Sequence, residues 1–160
     1  MKLILSTSDI EQRTLSEDDP NVLATLCNMA AVRKEQGRFD DALTIFEDVP
    51  QKTKRVLGDN HPHELLTMDH IAGVLGGVLY RHDESVKVLE EVVKKERQVH
   101  GHEHPQTLML MGSLSVTLWN MGKLKEDHAM LSEVLEIAKA KEYKEVIELY
   151  VLVKTTKARS

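Results

Sequence analysis

The sequence predicts an all-α fold, an α-α superhelix (solenoid) of about three stacked helix pairs closed by a long C-terminal helix. Three observations predict it. Proline recurs at Pro20, Pro62 and Pro105, at spacings of 42 and 43 residues. The later two prolines end matching signatures, Gly58-Asp59-Asn60-His61-Pro62 and Gly101-His102-Glu103-His104-Pro105, a G-x-x-H-P pattern. Ser16-Glu17-Asp18-Asp19-Pro20 is a degraded copy, with serine for glycine and aspartate for histidine. After each proline, apolar residues return at three-then-four spacing, the stripe of an amphipathic helix. One helix pair cannot bury such a stripe alone, so neighbouring pairs must stack.

Taken in order, residues 2–15 align with the latter part of a second helix, because Glu11 and Pro20 lie 85 residues before Glu96 and Pro105. Residues 1–19 are therefore expected to be a partial repeat. The first helices carry Leu23, Leu26, Met29 and Ala30, then Leu65, Met68, Ile71 and Ala72, then Leu108, Met111, Leu114 and Ser115. Proline suits their starts, where no backbone N–H is needed. The second helices carry Phe39, Ala42, Leu43, Phe46 and Val49, matched by His82, Ser85, Val86, Leu89 and Val92, and by Leu124, Asp127, His128, Leu131 and Val134.

Gly37 and Gly122 stand in the turn between the two helices, where φ > 0 is expected. The middle copy has Tyr80 there and one extra residue, and Gly73, Gly76 and Gly77 weaken its first helix by about 1 kcal/mol each relative to alanine. This helix and turn should be the least regular. No glycine or proline follows Gly122, and Leu131, Leu135, Ala138, Val146, Leu149, Tyr150 and Val153 keep helical spacing. A long last helix, or two broken near Lys141-Glu142, would cap the stack, with Lys154 to Ser160 fraying. The expected organisation is one domain over 1–160: a partial repeat helix at 1–19, repeats at 20–61, 62–104 and 105–140, and a cap and tail at 141–160.

Composition narrows the function. A net charge of -5 argues against nucleic acid, which selects a basic stripe. Cys27 is the only cysteine, so no intrachain disulfide forms and a reducing, cytoplasmic setting is expected. The apolar run Met1 to Leu5 is too short for a signal sequence, and no stretch approaches the ~20 apolar residues that cross a bilayer.

The helix pairs and the G-x-x-H-P signature resemble the tetratricopeptide repeat family, in particular the longer repeats of kinesin light chains. Leu26-Cys27-Asn28-Met29-Ala30 with Gly37-Arg38-Phe39-Asp40-Asp41-Ala42-Leu43 carries the pattern best, and the resemblance spans roughly residues 10 to 140. The third copy departs at Asp127 and His128, where small and large apolar residues are usual, a departure that should weaken its second helix. The resemblance implies a non-enzymatic scaffold that holds a peptide or protein in a concave groove walled by first helices. Carried onto this chain, that wall holds Cys27, Asn28, Ala31 and Lys34, then Asp69, His70 and Gly73, then Ser113, Val116, Trp119 and Asn120. The expected partner-binding set is Asn28, Lys34, Asp69, His70, Trp119 and Asn120. Kinesin light chains place asparagine where Asn28 lies, to grip a peptide backbone; here His70 and Ser113 take the matching positions. Tryptophan is enriched at binding hot spots, yet Trp119 lies next to core residue Leu118 and is equally suited to packing between repeats.

Other chemistries find weaker support in the sequence. His100, His102 and His104 alternate in one loop, and His61 and His63 flank Pro62, but zinc needs three or four converging ligands with a fixed second shell. His61 and His104 are better read as signature residues hydrogen-bonding across the turn, and no metal or cofactor is expected. Gly73-Val74-Leu75-Gly76-Gly77 lacks the Gly-Lys-Ser/Thr ending of a phosphate loop, and nothing specifies an activating histidine for Cys27. Two rival readings stand beside the scaffold: a structural module self-associating as a homo-oligomer through the apolar ends of the stack, and a metal- or ligand-responsive regulator using the histidine loop.

Overall fold

A computed structural model of the chain describes residues 20–157. They form seven helices: α1 (Pro20–Glu35), α2 (Phe39–Leu57), α3 (Pro62–Gly77), α4 (His82–Val99), α5 (Pro105–Asn120), α6 (Leu124–Ala140) and α7 (Lys144–Lys157). No strand occurs among the described residues. The chain divides within α3 into two compact units, residues 1–74 and 75–160. The partial helix expected over residues 2–15 lies outside the described residues, as do the last three residues of the tail.

In the first unit, α1 packs on α2. Leu23 and Ala30 of α1, and Ala42, Leu43, Phe46 and Val49 of α2, are buried. Each large side chain so buried contributes about 1.5–3 kcal/mol. The start of α3 joins them: Cys27 Sγ meets Thr67 Oγ1 at 3.5 Å, and the His70 ring stacks on Phe46 with centroids 5.4 Å apart. Pro50 lies inside α2, where it removes one helical hydrogen bond, yet the helix runs on to Leu57. Packing of the Phe46 and Val49 stripe outweighs the local cost.

Thr53, one turn beyond Val49, is fully buried, and its hydroxyl has no hydrogen-bond partner among the described residues. The equivalent residue of α6 is Ala138, also fully buried. Thr53→Val keeps the shape and removes the orphaned hydroxyl, so it should raise stability by about 1 kcal/mol. Urea unfolding measures this, and a lower midpoint would contradict it.

Three of the turns between helices are built one way. In the first copy Arg38 N–H bonds Arg33 O and Gly37 N–H bonds Lys34 O; Lys123 to Leu118 with Gly122 to Trp119, and Tyr143 to Ala138 with Glu142 to Lys139, repeat the pattern. This double closure satisfies carbonyls that the helix end leaves open and requires a left-handed residue. Gly37 and Gly122 supply it at φ 74° and 75°, and Glu142 adopts it at 57° without being glycine. The middle copy is the irregular one, as expected: Arg81 N–H reaches back to Leu75 O across one extra residue, and Tyr80 holds φ 56° with 78% of its surface exposed.

In the second unit, α5 packs against α4 and α6, and α7 packs against α6 and α5. Gly76, near the end of α3, leaves room for Ser85: a Cβ there would lie 2.7 Å from Ser85 Oγ. The polar departure at Asp127 is compensated. Its carboxylate is 1% exposed and accepts a hydrogen bond from the buried Ser115 hydroxyl, on the helix it faces. His128 is exposed, so it burdens no core.

The apolar run after Gly122 proves to be two helices rather than one long one, broken at Lys141-Glu142. The second, α7, is helical through Lys157, past the expected start of fraying. It is anchored by Tyr150, whose hydroxyl donates to Leu108 O at 2.8 Å. Burial pushes that phenol well above its ordinary range.

Candidate interaction surface

The first helices place their side chains by a simple rule. Leu65, Met68, Ile71, Ala72 and Leu75 of α3 are buried, as are Leu108, Met111, Leu114, Ser115 and Leu118 of α5. The opposite stripe, at i, i+4, i+7 and i+11, is left accessible: Leu66, His70, Gly73 and Gly77 on α3, and Met109, Ser113, Val116 and Asn120 on α5. An α-helix with one stripe in the core must present the residues between to solvent.

Of the six residues expected to bind a partner, Asn28 and Asn120 are exposed, and Lys34, Asp69, His70 and Trp119 are half-buried. Lys34, Asp69 and His70 come together in the first unit, where each carboxylate or imidazole charge feels the Lys34 ammonium. Burial raises the Asp69 carboxyl above the usual range against the opposing pull of His70 and Lys34. Burial likewise lowers His70, helped by Lys34 and opposed by Asp69. Loss of water therefore outweighs the mutual attraction at both groups. Trp119 and Asn120 close α5 in the second unit.

Two residues of the accessible stripe escaped sequence reasoning. Leu66 is 50% exposed and Met109 42% exposed, each one turn before His70 or Ser113. Their signal was the i−4 spacing from the expected wall, at His70 and Ser113. A second pair missed was Glu64 and Thr107, equivalent buried polar residues that brace the signature loop. Glu64 Oε2 accepts from Asn60 N–H at 2.9 Å, and Thr107 Oγ1 donates to Gly101 O at 2.8 Å. A glutamate three residues after a cap is a capping-box pattern.

The signature histidines do bond across the start of their helices. His61 Nδ1 accepts from His63 N–H at 3.2 Å, and His104 Nδ1 accepts from Gln106 N–H at 3.3 Å. That use engages the Nδ1 lone pair of each ring with its own helix start. His100 is tied to Glu96 at 2.6 Å and His102 to Glu133 at 2.9 Å. No group of three or more potential ligands converges among the described residues. Cys27 meets a hydroxyl, Thr67, not an imidazole base.

Helix pairs in succession, with first helices that each present one accessible stripe, define an α-helical repeat protein. The tetratricopeptide repeat pattern matches residues 22–63, 65–106 and 107–141, and the chain belongs to that family. It is similar to the solved kinesin-light-chain-type, nearly identical TPR-like repeats of Podosopora anserina. One of these, a single-substitution variant, is 25% identical with a TM-score of 0.73, over 84% of this chain and 64% of that one. Another is 21% identical with the same TM-score, 0.73, over 96% and 84%. BtubC (BKLC) from P. vanneervenii shares the fold at 12% identity and a TM-score of 0.71, over 94% of this chain and 68% of that one. This chain thus spans just under two thirds of the first of these structures. No curated protein matches the sequence. No helix among the described residues is long and apolar enough to cross a membrane.

Proposed function

We propose that the chain is a protein–protein interaction scaffold that captures a peptide or protein partner on the accessible faces of its first helices. The carrying observation is the stripe itself, which puts an apolar side chain (Leu66, Met109) one turn from a polar one (His70, Ser113) in each unit. An apolar anchor flanked by hydrogen-bonding groups is the composition of a binding patch. Family membership supports the same reading, since stacked helical repeats work by surface. The lone cysteine fits operation in the cytoplasm.

Asp69→Ala combined with Asn120→Ala should abolish affinity capture of the partner, with circular dichroism and the unfolding midpoint unchanged. Undiminished capture by the double variant would remove these helix faces from the function. Self-association through the C-terminal end is the second reading, favoured by Val151 of α7, which is exposed beside the buried Tyr150. Light scattering across a concentration series separates the two, because a monomer at every concentration excludes the second.

A further inference from the structure

We infer that the histidine of the G-x-x-H-P signature is a proton-sensitive helix cap, so that acidification loosens the starts of α3 and α5. The inference starts from geometry found twice, once in each compact unit. His61 precedes Pro62 and His104 precedes Pro105, the first residues of their helices. His104 is extended, at φ −67° and ψ 138°, as an N-cap must be. In both cases Nδ1, as an acceptor, takes the N–H of the second helical residue, at 3.2 Å for His63 and 3.3 Å for Gln106. Aspartate, an ordinary capping residue, holds the same place in the sequence at Asp19, just before Pro20. A histidine differs from aspartate here in one respect. Adding a proton to Nδ1 destroys the acceptor and places a cation against the positive end of the helix.

The surroundings of each cap add to this. The His61 ring lies parallel to His63, with centroids 5.6 Å apart, and the His104 ring stacks on His100 at 4.7 Å. Two imidazolium rings so placed repel. Around His61 stand the Lys54–Asp59 pair at 2.9 Å and Glu64, engaged with Asn60 N–H. Around His104 stand Glu96 on His100, Glu133 on His102, and the Glu103–Lys141 pair at 2.6 Å. The carboxylates of these groups attract protonated histidines, but none supplies the N–H acceptor that protonation of Nδ1 removes. The two His–Glu pairs strengthen on protonation and the two caps fail, so the signs are opposite and separable. Cap failure frees the first turns of α3 and α5, directly ahead of Leu66 and Met109. The inference concerns these helix starts and holds whether or not the stripe binds a partner.

The test follows amide exchange at His63 and Gln106 between about pH 7.5 and about pH 5, the span over which imidazole titrates. After correction for intrinsic exchange, protection at both amides should fall about fivefold in the unaltered protein, the equivalent of a typical lost cap. It should hold constant in His61→Asn/His104→Asn, whose caps do not titrate. The fall should persist in His100→Gln/His102→Gln, which lacks the two His–Glu pairs. Equal pH dependence in the unaltered and asparagine-capped proteins would overturn the inference. Ring nitrogen spectra of the unaltered protein test it without any variant: at neutral pH the proton of His61 and His104 should reside on Nε2, and residence on Nδ1 would also overturn it.

Discussion

Tyr150→Ala is expected to unlatch α7 and to lower stability by about 3–5 kcal/mol, the range for deleting a buried aromatic side chain. Tyr150 is 1% exposed and is the largest fully buried side chain in the described residues. It lies in a recess that exists because α5 carries Gly112: a Cβ at that position would stand 2.5 Å from the tyrosine oxygen and 2.9 Å from Cζ. Shape and hydrogen bond can be separated by two milder changes. Tyr150→Phe keeps the ring and loses only the bond to Leu108 O, at about 1 kcal/mol. Gly112→Ala keeps the tyrosine but fills its recess, and should cost about 1–3 kcal/mol, because a buried, hydrogen-bonded ring cannot swing aside. That loss exceeds the roughly 1 kcal/mol that alanine gains over glycine in a helix. Denaturant unfolding with amide exchange along α7 measures all three; an alanine at 112 as stable as the native glycine would show that α7 is held some other way.

Ser115→Ala is the second large effect. It takes the hydroxyl from a carboxylate that is almost wholly buried and should cost about 1–3 kcal/mol. Adding Asp127→Ala should return most or all of that loss, since it installs the buried alanine found at Ala42 in the first copy. Replacing both members of a buried polar pair by apolar groups is often neutral or better, whereas breaking one side is not. A double-mutant cycle reads the coupling, expected between about 0.5 and 3 kcal/mol. A double variant no more stable than Ser115→Ala alone would mean that the carboxylate is satisfied elsewhere.

Much of this architecture could be read from the residues. Prolines and three-then-four stripes marked every described first helix, because both report on the backbone of their own segment. Gly37 and Gly122 marked two turns for the same reason. Tyr80 and Glu142 adopt the same left-handed conformation without the residue that advertises it, so the break before α7 was one of two readings, not a certainty of pattern. The fit of Asp127 was harder to see. It depends on Ser115, twelve residues earlier on another helix, and becomes visible only when both changes are read together against Ala30 and Ala42. The accessible stripe was partly legible: Asn28, His70 and Asn120 fall on it, while Leu66 and Met109 were not among the residues expected there. A stripe assigns a side chain to a face, but what lies opposite that face is a tertiary fact.

Successive hairpins built on one pattern invite assembly errors, in which a late helix docks on an early partner. The buried serine–aspartate contact bears on that hazard. Were α6 to settle on α1 or α3, its carboxylate would be sealed against the methyl group of Ala30 or Ala72, with no hydroxyl to receive. Such a mismatch would cost about 3–5 kcal/mol with the wrong partner, a penalty that the Ser115 hydroxyl offsets with the right one. One polar exchange, written into a single copy, thus gives α6 an address that the other first helices cannot answer.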